Sequence, residues 1–134
     1  MVSKAIIRRG SEVLLCQRAK QGRSFGNLKW EFPGGTVDFG ESPGQTVVRE
    51  VKEEIGLLVK VDRQVPYVYS HVWRYPQQDL HVLVLGFECT VVGGKLVLAS
   101  REIKEVRWVP FDKVHELDLL PAMNEFLSYL TPKN

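Results

Sequence analysis

Glu50, Glu53 and Glu54 lie close together in a segment that reads as helix, and a glycine pair, Gly34-Gly35, leads toward it. At about 100° per residue, positions i, i+3 and i+4 share a face, so the spacing predicts that the three carboxylates converge on one small volume. Carboxylates so crowded repel one another unless a cation sits among them. Hard oxygen donors of this kind suit Mg²⁺, with Mn²⁺ as a substitute, and a substrate carrying phosphates would complete the coordination shell. The chemistry to look for is therefore metal-assisted attack on a phosphate ester or anhydride.

The elements that must position these acids are also readable. Ser42 followed by Pro43 is a helix start: a side-chain acceptor for orphan amides, then a residue already fixed near helical φ. Gly56 suits the left-handed residue that closes such a helix. Between them Val47, Val48, Val51 and Ile55 are expected on an arc turned away from the glutamates, so that one face enters a core while the other holds metal. Valine is a modest helix former, which assigns the helix's stability to tertiary packing.

The same residues resemble a family signature. Gly35, five residues, Glu41, seven residues, Arg49-Glu50, apolar Val51, one residue, Glu53-Glu54, one residue, Gly56 and apolar Leu57 match the Nudix hydrolase pattern at every specified position. The resemblance implies an α/β/α sandwich with a mixed β-sheet between helices, covering essentially the whole chain. It also implies a hydrolase in which water attacks a phosphorus of a nucleoside diphosphate linked to a further group. Carried over by position, Glu50 and Glu54 match the principal metal ligands and Glu53 a further ligand or the group that activates water. The Gly34 carbonyl matches a backbone ligand, and Glu41 supports the loop. Arg49, one turn before Glu53, is expected to orient it through an i, i+4 ion pair. The general base stays open between the helix and a later loop, for which Glu102 is the candidate, with a plain surface charge as the alternative.

Within the family, Trp30-Glu31-Phe32-Pro33-Gly34-Gly35, preceded by Gln17-Arg18, resembles the MutT-like branch, which implies cleavage of nucleoside triphosphates to monophosphate and pyrophosphate. Pro121-Ala122-Met123-Asn124-Glu125 resembles the segment in which MutT reads oxidised guanine, making Asn124 a candidate base reader and 8-oxo-dGTP a candidate substrate. Helix capping or decoration is the competing role for Asn124. Other substrates in view are ADP-ribose, a dinucleoside polyphosphate or a capped RNA end. A catalytically silent nucleotide-binding regulator ranks last, because every acidic ligand is present.

A chain of 134 residues with 44% hydrophobic content is expected to form a single domain spanning residues 1–134. No run approaches the roughly 20 apolar residues that span a bilayer, and the first residues lead into a strand pattern, so no membrane partner and a cytoplasmic location are expected. Cys16 and Cys89 lack metal-like spacing and read as buried thiols. A net charge of +2 does not announce a nucleic-acid binder, so a small nucleotide is the expected partner, and the oligomeric state is open between monomer and homodimer.

The charge is unevenly spread. Lys4, Arg8, Arg9, Arg18, Lys20, Arg23 and Lys29 precede six acids between residues 31 and 54. A basic rim facing an acidic metal pocket would suit a metal-bound polyphosphate, and Arg18 and Arg23, near the loop, are the candidate phosphate-binding residues. Scattered solubilising charge is the alternative.

The remaining pattern predicts strands over Val2 to Arg8 and Glu12 to Gln17 around a Gly10-Ser11 turn, a polar loop from Ala19 to Leu28, and a brief strand at Trp30 to Phe32. After the helix come strands over Leu57 to Val61, Val65 to Trp73 and His81 to Val91, then a Gly93-Gly94 hairpin returning over Lys95 to Leu98. Pro121 to Leu130 is expected as a closing helix with Met123, Phe126, Leu127 and Leu130 inward. Phe39, Tyr69, Trp73, Tyr75 and Trp30 could stack on a base, and alternation assigns one of Trp30 and Phe32 to the core and the other to a pocket.

Overall fold

The computed structural model describes residues 1–20 and 26–130. Among the described residues, seven strands and two α-helices follow the order β1 (Val2–Arg9), β2 (Glu12–Arg18), β3 (Trp30–Glu31), β4 (Gly34–Thr36), α1 (Pro43–Ile55), β5 (Leu57–Arg74), β6 (Asp79–Gly94), β7 (Ile103–Pro110), a 3₁₀ segment (Phe111–Glu116) and α2 (Met123–Leu127). β1 runs parallel to β6, which is antiparallel to β5, while β4 covers the start of β1. The β1–β2 hairpin is joined only near its turn, at Arg8↔Val13 and Arg9↔Glu12. β2 therefore splays from β1 and pairs with β3 and β7 instead. That separation opens the cleft in which the site lies.

Two apolar clusters lie on opposite faces of the mixed sheet, as the layered architecture requires. One packs Val47, Val51 and Ile55 of α1 against Ala5, Ile7, Leu14, Phe87 and Cys89. The other packs Phe126 and Met123 of α2 and Val114 of the 3₁₀ segment against Ile6, Val13, Leu15, Phe32 and Val65. Among the described residues no helix is long and apolar enough to cross a membrane.

Several expectations are corrected. Val48 is exposed, and Thr46 takes its place in the buried stripe, because the face packed on the sheet follows Val47, Val51 and Ile55. The two strands expected after α1 are one, β5, whose register shifts at Val61/Arg63 and Gln64/Val68 absorb the intervening residues as bulges. Lys95 to Leu98 is not a returning strand: the amides of Lys95, Val97 and Ala99 donate to the carbonyls of Gly56, Ile55 and Glu54. The segment thus satisfies carbonyls that the end of α1 leaves without helical partners. The closing helix is shorter than Pro121 to Leu130, since Ala122 adopts a left-handed φ of 80° before it and Ser128 Oγ donates to the Glu125 carbonyl after it. Trp30 and Phe32, two residues apart in an extended segment, share one face and both enter the α2-side core, so alternation does not divide them between core and pocket, although Phe32 also lines the larger cavity.

Candidate active site

Helix α1 is held at both ends. Ser42 Oγ accepts from the Gln45 amide (3.2 Å) while the Ser42 amide donates to Gln45 Oε1 (2.9 Å), a reciprocal cap. Gly56 closes the helix at φ 78°. With Val47, Val51 and Ile55 pinned to the sheet, the opposite face carries Glu50, Glu53 and Glu54 at a fixed height above β4.

Arg49 is the hub of this face. Its guanidinium donates twice to Glu41 (Nε–Oε2 2.7 Å, Nη2–Oε1 3.0 Å), to Glu50 Oε1 (3.0 Å), to Glu53 Oε2 (3.2 Å) and to the Thr36 carbonyl (3.3 Å). Asp38 adds an ion pair at 3.3 Å. The bidentate bond from Arg49, followed by the Thr46 hydroxyl, pulls the Glu41 carboxyl down to about 2, and the arginine's own pKa rises in return. Glu41 also accepts from the Asp38 amide, so it ties the loop to the helix as expected. The expected Arg49–Glu53 pair is present, but it is one branch of a larger network in which Glu41 is the firmest partner.

Burial, and then the adjoining Glu50 carboxyl, raise the Glu54 carboxyl to about 8. Glu50 reaches the backbone of β4 because residue 35 has no side chain: a Cβ there would stand 2.6 Å from the Glu50 carboxyl carbon. Glu53 is drawn outward by Arg49 and is half-exposed. Among the described residues no three His, Cys, Asp or Glu side chains are already gathered as metal ligands, so convergence extends to Glu50 and Glu54 and stops short of Glu53. The donor set still suits a hard divalent cation: Glu54, pushed toward neutrality chiefly by burial, adjoins Glu50 and lines one cavity with Gly34.

That cavity, of about 250 Å³, is lined by Gly34, Gly35, Glu54, Glu102, Lys4, Arg18 and Glu31 among others. Glu102 lines it from the segment before β7, where its carbonyl accepts from the Ala19 amide at 2.7 Å. A second lobe of about 150 Å³ shares Lys4, Arg18 and Glu31 with the first and is walled by Tyr69, His71 and Trp73 of β5 with Leu120, Pro121 and Met123. Tyr69 and His71 stack with centroids 5.7 Å apart, and Trp73 meets His71 edge-on at 4.5 Å.

Other sequence candidates fall elsewhere. Asn124 is exposed and is not among the residues lining either lobe, because α2 begins only at Met123 and turns that residue, not its neighbour, inward. Arg23 lies outside the described residues. Arg8 pairs with Glu88 and Arg9 with Glu12, so of the proposed basic rim Lys4 and Arg18 reach the acids. Phe39 stands fully exposed on the loop before α1. Cys16 and Cys89 are free and buried.

Sequence reasoning passed over Glu31. This carboxylate is nearly buried, its side chain 11% exposed, with Lys4 on one oxygen and Arg18 on the other (3.0 Å). Burial alone would raise its pKa, but the two cations overcome that and hold it below its ordinary value. An acid between two large aromatics, Trp30 and Phe32, was the available signal, since a charge inside an apolar strand requires a partner.

Residues 2–130 match the family model described as NUDIX domain. The chain is 34% identical over 125 residues to the NAD-capped RNA hydrolase NudC of Pseudomonas entomophila, covering 93% of this chain and 40% of that protein. It therefore spans about two fifths of the length of that relative. The fold superposes on a MutT NUDIX hydrolase from Burkholderia pseudomallei with a TM-score of 0.78 at 23% identity, covering 97% of this chain and 96% of the other. It also superposes on an ADP-ribose pyrophosphatase from Streptococcus suis with a TM-score of 0.68 at 27% identity, covering 96% and 86%.

Proposed function

The chain belongs to the Nudix family of hydrolases, and from that premise we propose that it cleaves the phosphoric anhydride of a nucleoside triphosphate in a divalent-cation-dependent reaction, releasing monophosphate and pyrophosphate. One observation carries the reading. The two lobes share Lys4, Arg18 and Glu31, and together they run from an acidic end at Glu54, beside Glu50, past those cations to an aromatic wall at Tyr69, His71 and Trp73. A nucleotide with its metal has the same order of chemistry: cation, phosphates, flat base.

Glu50, Glu54 and the Gly34 carbonyl would hold Mg²⁺, or Mn²⁺ in its place. The ion, when bound, supplies a Lewis acid that neutralises phosphate charge and acidifies water. Arg49 fixes Glu50 and Glu53 through one guanidinium, so neither carboxylate has to be ordered when the substrate arrives. Glu53, half-exposed and adjoining Glu54, accepts the proton of the attacking water, with Glu102 across the cavity as the second acid able to do so. Arg18 takes charge from the phosphate oxygens as the bond to the leaving pyrophosphate breaks.

A second reading has its own support: cleavage of a dinucleotide such as an NAD-type end, the activity named for the 34%-identical relative. The position of Asn124 outside both lobes lends no support to oxidised guanine as the preferred base. Purified protein with Mg²⁺ should be screened against ordinary and oxidised nucleoside triphosphates, ADP-ribose, dinucleotides and NAD-capped RNA, with products separated by chromatography. Monophosphate with pyrophosphate is the expected result. Two monophosphates from a dinucleotide would move the assignment to the second reading, and turnover indifferent to chelator would refute both.

A further inference from the structure

The two lobes meet at Lys4, Arg18 and Glu31, which line both. Lys4 lies on β1 directly opposite Gly34 of β4, and its side chain is only 12% exposed. Glu31 lies on β3 opposite Cys16 of β2, so the ion pair joins β1 to the strand that pairs with the splayed β2. Arg18, at the end of β2, completes the group from a more exposed position.

Neutralising Glu31 would need one cation, and Arg18 provides it at 3.0 Å. Lys4 is a second, so one carboxylate holds two cations at the throat between the lobes, in a cavity that Glu54 and Glu102 also line. Two cations held in place by one acid are ready to receive the oxygens of a phosphate. A lysine head is also a flexible point charge that must be ordered before it can bind, and Glu31 orders it in advance.

We propose that Lys4 binds the phosphate that stays with the nucleoside, and that Glu31 is the positioning residue which aims Lys4 and Arg18 at that phosphate. This rests on the nucleotide reading above, with the metal end holding the departing phosphates and the aromatic lobe holding the base. The ligand class is a nucleoside 5′-phosphate, whether it arrives as a triphosphate or as half of a dinucleotide.

The test separates this claim from the question of turnover. Binding of AMP and of adenosine is measured by calorimetry with chelator present, for the wild type, K4Q, K4R and E31Q. K4Q keeps a donor for Glu31 while removing the charge, and Arg18 remains to pair the carboxylate, so the variant should fold. AMP affinity should fall about tenfold in K4Q and return to within threefold in K4R, with adenosine affinity unchanged in both. E31Q should weaken AMP binding comparably while leaving adenosine alone. In turnover of whichever anhydride is cleaved, K4Q should raise KM about tenfold with kcat within threefold. Equal loss of AMP and adenosine binding in K4Q would make Lys4 a structural residue, and AMP affinity unchanged in K4Q would overturn the proposal. Wild-type protein that binds AMP no better than adenosine would overturn it too. Should K4Q fail to fold, K4R against K4M gives the same comparison. Absence of any turnover in the wild type would count against the nucleotide reading alone, because the binding arm needs no metal.

Discussion

Replacing Gly35 with alanine should disable the site while sparing the fold. The backbone at this residue is not in the left-handed region, so alanine meets no conformational barrier there. The added Cβ would stand 2.6 Å from the Glu50 carboxyl carbon, and ordinary contact begins at 3.4 Å, so the carboxyl must retreat by about 0.8 Å. The obstacle is the end of a side chain, which can swing, so little stability is at stake. Loss of glycine's freedom in the unfolded chain stabilises by roughly 0.4–1 kcal/mol and offsets part of any strain. A misplacement of about 1 Å in a catalytic group costs on the order of 10²-fold in rate, or about 2.7 kcal/mol of transition-state stabilisation. The expected outcome is a kcat/KM lowered about a hundredfold, a higher Mg²⁺ concentration for half-activation, and a melting temperature within a few degrees of wild type. Thr36→Ala is the control, because the Thr36 group that Arg49 uses is its carbonyl. Activity within threefold of wild type at unchanged Mg²⁺ demand would refute the argument that Glu50 needs the bare backbone of residue 35. So would a melting temperature lowered by about 8 °C or more, which would place the damage in the fold.

Three further outcomes follow from the same geometry. Glu54→Gln removes a carboxylate that burial and Glu50 push toward neutrality, so the metal-free variant should melt no lower than wild type. It should also lose the Mg²⁺-induced stabilisation, about 2.7 kcal/mol for wild type at a hundredfold excess over Kd, as read by melting curves with and without Mg²⁺. Glu41, held at about 2 against an ordinary 4.5, contributes stability that is complete above pH 4.5 and is lost as pH falls toward 2. Glu41→Gln should therefore flatten the fall of melting temperature between those values, and an unchanged acid limb would contradict the assigned network. Burial, then neighbouring acids, raises both thiols, Cys89 to about 12 and Cys16 higher still, so neither should react with a thiol reagent at neutral pH until denaturant is added.

What the sequence made legible was local. The α1 boundaries follow from Ser42, Pro43 and Gly56, and the acidic face from a period of 3.6, because neither depends on a distant partner. Lys4 and Glu31 depend on registers spanning many residues, Lys4↔Gly34 and Cys16↔Glu31, which no periodicity contains. Lys95 to Leu98 read as a returning strand because it follows the Gly93-Gly94 turn, but the acceptors of the Lys95, Val97 and Ala99 amides are carbonyls at the end of α1 instead of a neighbouring strand. Asn124 failed for a different reason. Its candidacy rested on a short resemblance, whereas the inward set Met123, Phe126, Leu127 and Leu130 is the one expected, and that set leaves Asn124 on the exposed side.

Glu31 and Glu54 line the same cavity and are pushed in opposite directions by what surrounds them. Burial opposes ionisation of both. At Glu31 two cations reverse it, and the carboxylate stays charged. At Glu54 burial is joined by the neighbouring Glu50, the attraction of Lys4 does not offset them, and the carboxyl stays raised. One carboxylate already has the cations it is going to hold, and the other is arranged to receive one. The division also orders the path between them: a nucleotide entering with its metal brings positive charge to Glu54 and negative charge to Lys4 and Arg18. The two halves of the ligand carry opposite charge into adjoining positions, so metal and phosphate binding should be mutually reinforcing. Mg²⁺ affinity measured with and without a nonhydrolysable triphosphate reads that coupling, and equal affinities would mean the two ends act independently.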